Sequence, residues 1–227
     1  MAAAYEDRVE ILTDGAIYAD DGTIIALDQK VWKSNRLPLV FAGRGNAIAV
    51  DMVGTALDIF SLAHGTFDET FMAFKEKIES RADKGKDQVA MDGVFAGISE
   101  TIGPVIYYFH TYQEGSDGFR GCEPFKFYDA GKELAAGPTP PPRAMRDSGL
   151  PMYWAFDGLA EYGPTFMGLL RQHPMEHLAH PDKPLVYGVG GHVDHTVVTA
   201  DGATTERIHV WPEDRVGSKI EPLGCTA

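Results

Sequence analysis

The stretch LPLVFAGRGNAIAVDMVGTALDIFSLAHG (Leu37–Gly65) decides how the rest of the chain is read. Leu37–Gly45 is a short apolar run that closes on Gly43 and Gly45, the pattern of a buried strand entering a tight backbone turn. From Asn46 to His64 the apolar residues Ala49, Val53, Ala56, Leu57, Phe60 and Ala63 recur at helical spacing, and Gly65 ends the run. One segment thus passes from strand to helix, and an all-α or all-β fold is excluded.

A second helix follows at once. Thr66 with Glu69 forms a capping box, and Phe67, Phe71, Phe74 and Ile78 make one stripe while Glu69, Lys75, Lys77 and Glu79 take other faces. The stripe reads as core packing. Upstream, AAAY and RVEIL flank an Asp7–Arg8 turn, a hairpin closed by Thr13-Asp14-Gly15. Gly22–Lys33 is β-branched and aromatic, one or two strands. Downstream, GVFAGISE and PVIYYFHTY form a hairpin through Thr101–Gly103. The region 115–149 is rich in Gly and Pro and reads as a long excursion with one short strand, Phe125–Tyr128. Leu150–His173 reads as two helices broken at Gly163–Pro164, and Pro184–Trp211 as two strands with a turn at Asp201–Gly202. Strands, a helix pair, strands, helices and strands again predict an α+β fold, a four-layer α-β-β-α sandwich of two antiparallel sheets spanning residues 1–227 as a single domain.

Composition bounds the function. The net charge of −13 argues against nucleic acid and anionic membrane surfaces as partners. No stretch approaches the roughly 20 apolar residues of a membrane span, and the acidic start lacks the basic region of a secretory signal. Cys122 and Cys225 stand alone without CxxC spacing, so a cytoplasmic setting is expected.

Three segments together resemble proteasome β-type subunits and the related bacterial ring proteases, members of the N-terminal nucleophile hydrolase superfamily. They are LTDG (Leu12–Gly15) followed by DQKVWK (Asp28–Lys33), LVFAGRGNA (Leu39–Ala47) running into its helix, and GVGGHVDHTVVTADG (Gly188–Gly202). In that family an N-terminal Thr, Ser or Cys attacks an amide carbonyl. Its own α-amine takes the proton, a Lys paired with an Asp tunes the site, and a backbone N–H stabilises the oxyanion. The resemblance implies that Asp14 and Lys30 match the Asp and Lys, Gly43 the oxyanion glycine, and Ser148 a supporting serine. It also implies that the nucleophile's position precedes Met1, and that Val186 and Val189 stand where the family has a supporting Asp and Ser. The expectation is therefore a proteasome-like, non-catalytic assembly or binding module, with peptide or amide ligands possible and a homo-oligomer, ring-shaped in relatives, as its form. The alternative is an active peptidase or amidohydrolase after processing, for instance at Gly22-Thr23, or from a different start.

No cofactor is expected, since Gly43-Arg44-Gly45 lacks the rest of any nucleotide-binding loop. His173, His177 and His180, with Glu176 and Asp182 as extras, have zinc-compatible spacing, but Pro174 and Pro181 interrupt the helix, and a solvated surface is the expected reading. On the last strands His192 and Asp194 share a face and His195 takes the other, so no metal is expected there either. Trp154, Tyr153 and Phe156 belong to core or interface.

Overall fold

The computed structural model describes residues 1–82, 90–112, 121–176 and 183–222. Among them lie three antiparallel sheets and five helices, a mixed α+β arrangement. The opening hairpin is present: β1 (Ala2–Ala4) pairs with β2 (Val9–Asp14), Ala4 opposite Val9. β3 (Ala16–Tyr18) and β4 (Ile24–Leu27) form a small two-stranded sheet, and β5 (Val31–Lys33) then joins a different sheet beside β6 (Leu39–Gly45). Gly22–Lys33 is therefore two strands in two sheets.

Gly45 carries the chain from β6 into α1 (Ala47–His64) with φ +105°; an added Cβ there would lie 2.5 Å from the Ala90 carbonyl oxygen. Asn46 caps α1 by accepting from the Ala49 N–H, and left-handed Gly65 ends it. In α2 (Phe67–Glu79) the Thr66 hydroxyl accepts from the Glu69 N–H. The neighbouring Phe67 and Asp68 N–H groups donate to the Glu100 carboxylate, so a turn glutamate from the next hairpin completes the cap. That hairpin is β7 (Met91–Ser99) and β8 (Gly103–His110).

The excursion differs from its reading. Phe125 is buried at φ +64°, a backbone state incompatible with an extended strand, so pairing begins only at β9 (Tyr128–Asp129), alongside β8. A second strand, β10 (Glu133–Leu134), pairs with β1, and Pro142 starts the short helix α3 (Pro142–Asp147). The helix break also moves. Gly158, at φ +140°, separates α4 (Trp154–Asp157) from α5 (Leu159–Arg171), and Pro164 lies inside α5. Gly163 serves packing instead: a Cβ there would sit 2.7 Å from Leu12 Cδ1, so α5 lies close on β2. β11 (His192–Thr199) and β12 (Gly202–Val210) finish the five-stranded sheet β10-β1-β2-β11-β12; the other is β5-β6-β7-β8-β9.

Side-chain alternation sorts the core. Phe41, Phe95, Val105 and Phe109 pack with α1 and α2. Their strand neighbours Val40, Ala96, Ile106 and Tyr108 pack with Ala2, Ala4, Val9, Ile11 and Val198 of the other sheet. That sheet's remaining face, Ala3, Leu12 and Val193, packs with Trp154, Leu159, Phe166 and Leu170.

The buried stripe of α1 is offset from the expected one. Val50, Gly54, Leu57 and Ser61 are buried, because Gly54 admits the Trp32 ring, which an added Cβ would meet at 2.2 Å. The helix is also long and apolar enough, by length and composition, to cross a membrane. The expectation that no stretch is long and apolar enough for a span therefore does not hold for α1, a helix with one face on the sheet and a second apolar face outward.

Candidate functional site

The end of β2 and the start of β5 bring two of the matched residues together. Lys30 Nζ donates to Asp14 Oδ1 at 2.7 Å, with both side chains mostly buried. Asp14 Oδ2 accepts from the Ala16 N–H at 3.0 Å and from the Gly190 N–H at 3.2 Å. Gly43 belongs to the same neighbourhood: Val31 pairs with Ala42, and the register continued one step sets Lys30 opposite Gly43. Gly43 faces α1 in a tight place, where a Cβ would lie 3.0 Å from Val50 and 3.2 Å from the Asp92 carbonyl oxygen. Ser148 is not brought to this group. It follows α3, where its hydroxyl donates to the Met145 carbonyl and accepts from the Leu150 N–H.

Asp14 thus clasps three segments: β5 through Lys30, the start of β3, and the Gly188–Gly191 loop. Removing the carboxylate removes all three hydrogen bonds, whereas removing the ammonium removes one. We expect Asp14→Ala to cost about 2–4 kcal/mol and Lys30→Met about 1 kcal/mol, read from urea unfolding midpoints; equal losses would exclude the clasp.

A second ion pair was not legible in the sequence. Arg44 and Asp92 are cross-strand partners on β6 and β7, and the guanidinium makes a bidentate pair through Nε–Oδ1 at 2.8 Å and Nη2–Oδ2 at 2.7 Å. They lie on the face that meets the other sheet. The pair holds the Arg44 proton more tightly, against burial. The Tyr108 hydroxyl approaches Asp92 at 3.4 Å. Tyr112 is 1% exposed, and its hydroxyl has no hydrogen-bond partner among the described residues. Burial, with the Asp92 charge adding to it, raises the Tyr112 pKa. Tyr18 is pushed up to about 12 by burial and then by Asp14. The Met1 ammonium donates to the Leu12 carbonyl at 3.0 Å; burial and then Arg44 bring it down to about 6, against the pull of Asp14. An amine, two ion pairs and three phenols therefore share one buried end of the inter-sheet space.

A third network fixes the Gly188–Gly191 loop. Arg171 of α5 forms a bidentate pair with Asp214 at 2.7 Å on both contacts, and its Nη1 also donates to the Val189 carbonyl. Asp214 Oδ2 accepts from the Gly191 N–H at 2.6 Å. Val189 itself is buried against Trp154, Leu170 and Trp211, and Val186 bridges to Met175. Both valines are structural where the family resemblance implies polar supports.

The histidine face assignment agrees with the sequence pattern. His192 Nε2 meets Asp194 at 3.1 Å and Arg207 at 3.0 Å. His195 meets Glu10 at 2.9 Å on the side of α5, where Glu10 also accepts from the Leu159 N–H. Burial works to raise the Glu10 pKa, but hydrogen bonds from His195 and Arg8 outweigh it and leave a lowered value. Among the described residues no group of three His, Cys, Asp or Glu is arranged to hold a metal. His177, His180, Asp182 and Cys225 lie outside the described residues. Thr23 lies in the β3–β4 turn, its hydroxyl donating to Asp21. Trp154 is core, against Phe166 at 4.6 Å, while Tyr153 and Phe156 are exposed.

No family model matches the chain, and no curated protein matches it.

Proposed function

We propose that the chain is a proteasome-subunit-like protein of the N-terminal nucleophile hydrolase fold, a four-layer α-β-β-α sandwich, that works as a non-catalytic, homo-oligomeric assembly or binding module in the cytoplasm. The layered reading is supported by the three successive cores: helices against one sheet, sheet against sheet, and helices against the second sheet. The observation that carries the functional reading is the Asp14 clasp. Its oxygens are taken up by Lys30 and by two backbone N–H groups. No Ser, Thr or Cys side chain hydrogen-bonds either member of the pair among the described residues. The neighbouring interior holds the Arg44–Asp92 pair and the Met1 amine, which is bonded to the Leu12 carbonyl and not to a hydroxyl or thiol among the described residues. A carboxylate–ammonium pair without an adjacent hydroxyl or thiol organises backbone but does not attack an amide.

The test is labelling of the purified protein with a peptide epoxyketone and a β-lactone, read by intact mass, beside turnover of a fluorogenic peptide panel. No adduct and no turnover are expected. A stoichiometric adduct on an N-terminal Thr, Ser or Cys would establish the active peptidase or amidohydrolase instead.

A further inference from the structure

The outward face of α1 carries a feature that the clasp and the core leave unused. Ile48, Met52, Ile59 and Leu62 are 73, 62, 66 and 64% exposed, and Thr55 between them is exposed as well. Positions 48, 52, 55, 59 and 62 step by four, three, four and three along one helix of 18 residues. That is the spacing of a seam that receives another helix, knobs into holes. The buried face of the same helix is complete without it, through Val50, Gly54, Leu57 and Ser61.

We propose that this seam is a self-association surface: two copies of the chain pack their α1 helices antiparallel about a two-fold axis through the middle of the helix. The proposal deepens the homo-oligomeric reading above and rests on it.

Three features select a second copy as the occupant. First, the seam is self-complementary. Antiparallel packing sets the Ile48–Met52 half of one helix on the Ile59–Leu62 half of the other, with the small Thr55 near the crossing, which satisfies the isologous pairing of a two-fold dimer. Second, the helix dipoles select the direction, since they oppose each other in an antiparallel pair and align in a parallel one. Third, α1 contains no Lys or Arg in a chain of net charge −13, which disfavours an anionic bilayer or an acidic protein on this face. A helix of 18 residues is about 27 Å long. Two such seams in contact bury on the order of 1,000 Å², enough for a specific interface at the low end of the size range.

The test uses the full chain in analytical ultracentrifugation across concentration. The wild type is expected to dimerise or to assemble further, and Ile59→Glu with Leu62→Glu to weaken that association by about 100-fold or more, since charged side chains then face each other in a desolvated seam. Both positions are exposed, so the circular dichroism spectrum stays unchanged. Direction is read by disulfide formation in a background with Cys122 and Cys225 replaced by serine. Met52→Cys mixed with Ile59→Cys cross-links, and neither alone does so. A wild type that remains monomeric at ~100 µM overturns the proposal, because it implies a dissociation free energy too small for a specific dimer. Self-cross-linking of Met52→Cys alone overturns the antiparallel arrangement. An oligomer unaffected by the double glutamate variant overturns the α1 assignment while leaving the oligomeric reading intact. Binding of the wild type to phosphatidylglycerol vesicles, lost in the variant, assigns the seam to a membrane and overturns it as well. An epoxyketone adduct, in contrast, removes the non-catalytic reading and leaves this interface standing.

Discussion

Replacing Asp214 with alanine is expected to lower the unfolding free energy by about 3–5 kcal/mol. The Arg171 and Asp214 side chains are 4% and 1% exposed, so the guanidinium left behind has no water to turn to. It keeps its hydrogen bond to the Val189 carbonyl, its stacking over Trp211 and a long contact to the part-exposed Glu213 carboxylate at 3.3 Å, and together these compensate less than the bidentate pair it loses. The Gly191 N–H loses its acceptor in the same step. Replacing both partners, Arg171→Met with Asp214→Leu, removes the stranded charge and should cost less than the Asp214→Ala variant alone, a strong coupling in a double-mutant cycle. The exposed Arg143–Asp147 pair supplies the contrast: Arg143→Ala should change stability by no more than about 0.5 kcal/mol. Urea unfolding of the variants checks these values. A loss below about 1 kcal/mol for Asp214→Ala would show that water reaches the pair. The effect also reaches the candidate site, because Gly190, adjacent to the loop position that Asp214 holds, donates to Asp14. Amide exchange at Gly190 should therefore accelerate in Asp214→Ala.

That chain of dependence marks where the sequence is transparent and where it is not. Local periodicity discloses the β1–β2 and β7–β8 hairpins, α1 and α2, and the caps at Thr66 and Gly65, since each depends on residues within a few positions of one another. The Asp14–Lys30 pair is legible only through spacing shared with a family, not from either residue alone. Arg44–Asp92 and Arg171–Asp214 join positions 48 and 43 residues apart, and a lone Arg or Asp in a sequence reads as surface. Strand register makes the first pair: Arg44 and Asp92 face each other because Gly43 and Gly93 do. β10 has two residues and owes its existence to the open edge of β1, a property of the assembled sheet and not of its own composition. Pro164 misleads because a proline is a frequent helix breaker, yet here Gly158, at φ +140°, has already ended α4, and Pro164 lies inside α5 as its sixth residue without ending it.

Phe95→Ala is expected to destabilise the chain by about 3–5 kcal/mol, and Phe95→Leu by about 1–1.5 kcal/mol. The difference follows from how β7 is written. Gly93, Phe95 and Gly97 occupy alternate positions of the strand and face the helices. The two glycines yield their space to rings from elsewhere: a Cβ on Gly93 would lie 2.5 Å from Phe41, and one on Gly97 would lie 2.8 Å from Phe67 and 2.0 Å from the Pro38 carbonyl oxygen. Phe95 is the one large side chain among these three positions, fully buried, and it meets Phe74 at 4.9 Å, Phe41 at 5.0 Å and Phe127 at 5.8 Å between ring centroids. Truncation to alanine empties a volume that neighbouring glycines cannot fill, and the surrounding aromatic rings are held by their own backbones on β6, β8 and α2. Leucine restores most of the volume and loses the ring contacts. Because this cluster joins α1 and α2 to β6, and β6 carries Gly43 and Arg44 to the candidate site, the alanine variant should also weaken the protection of the Gly43 amide against exchange. A loss in Phe95→Ala no greater than in Phe95→Leu would mean that the helices close over the gap, and that the sheet and helices are not held by a single rigid aromatic core.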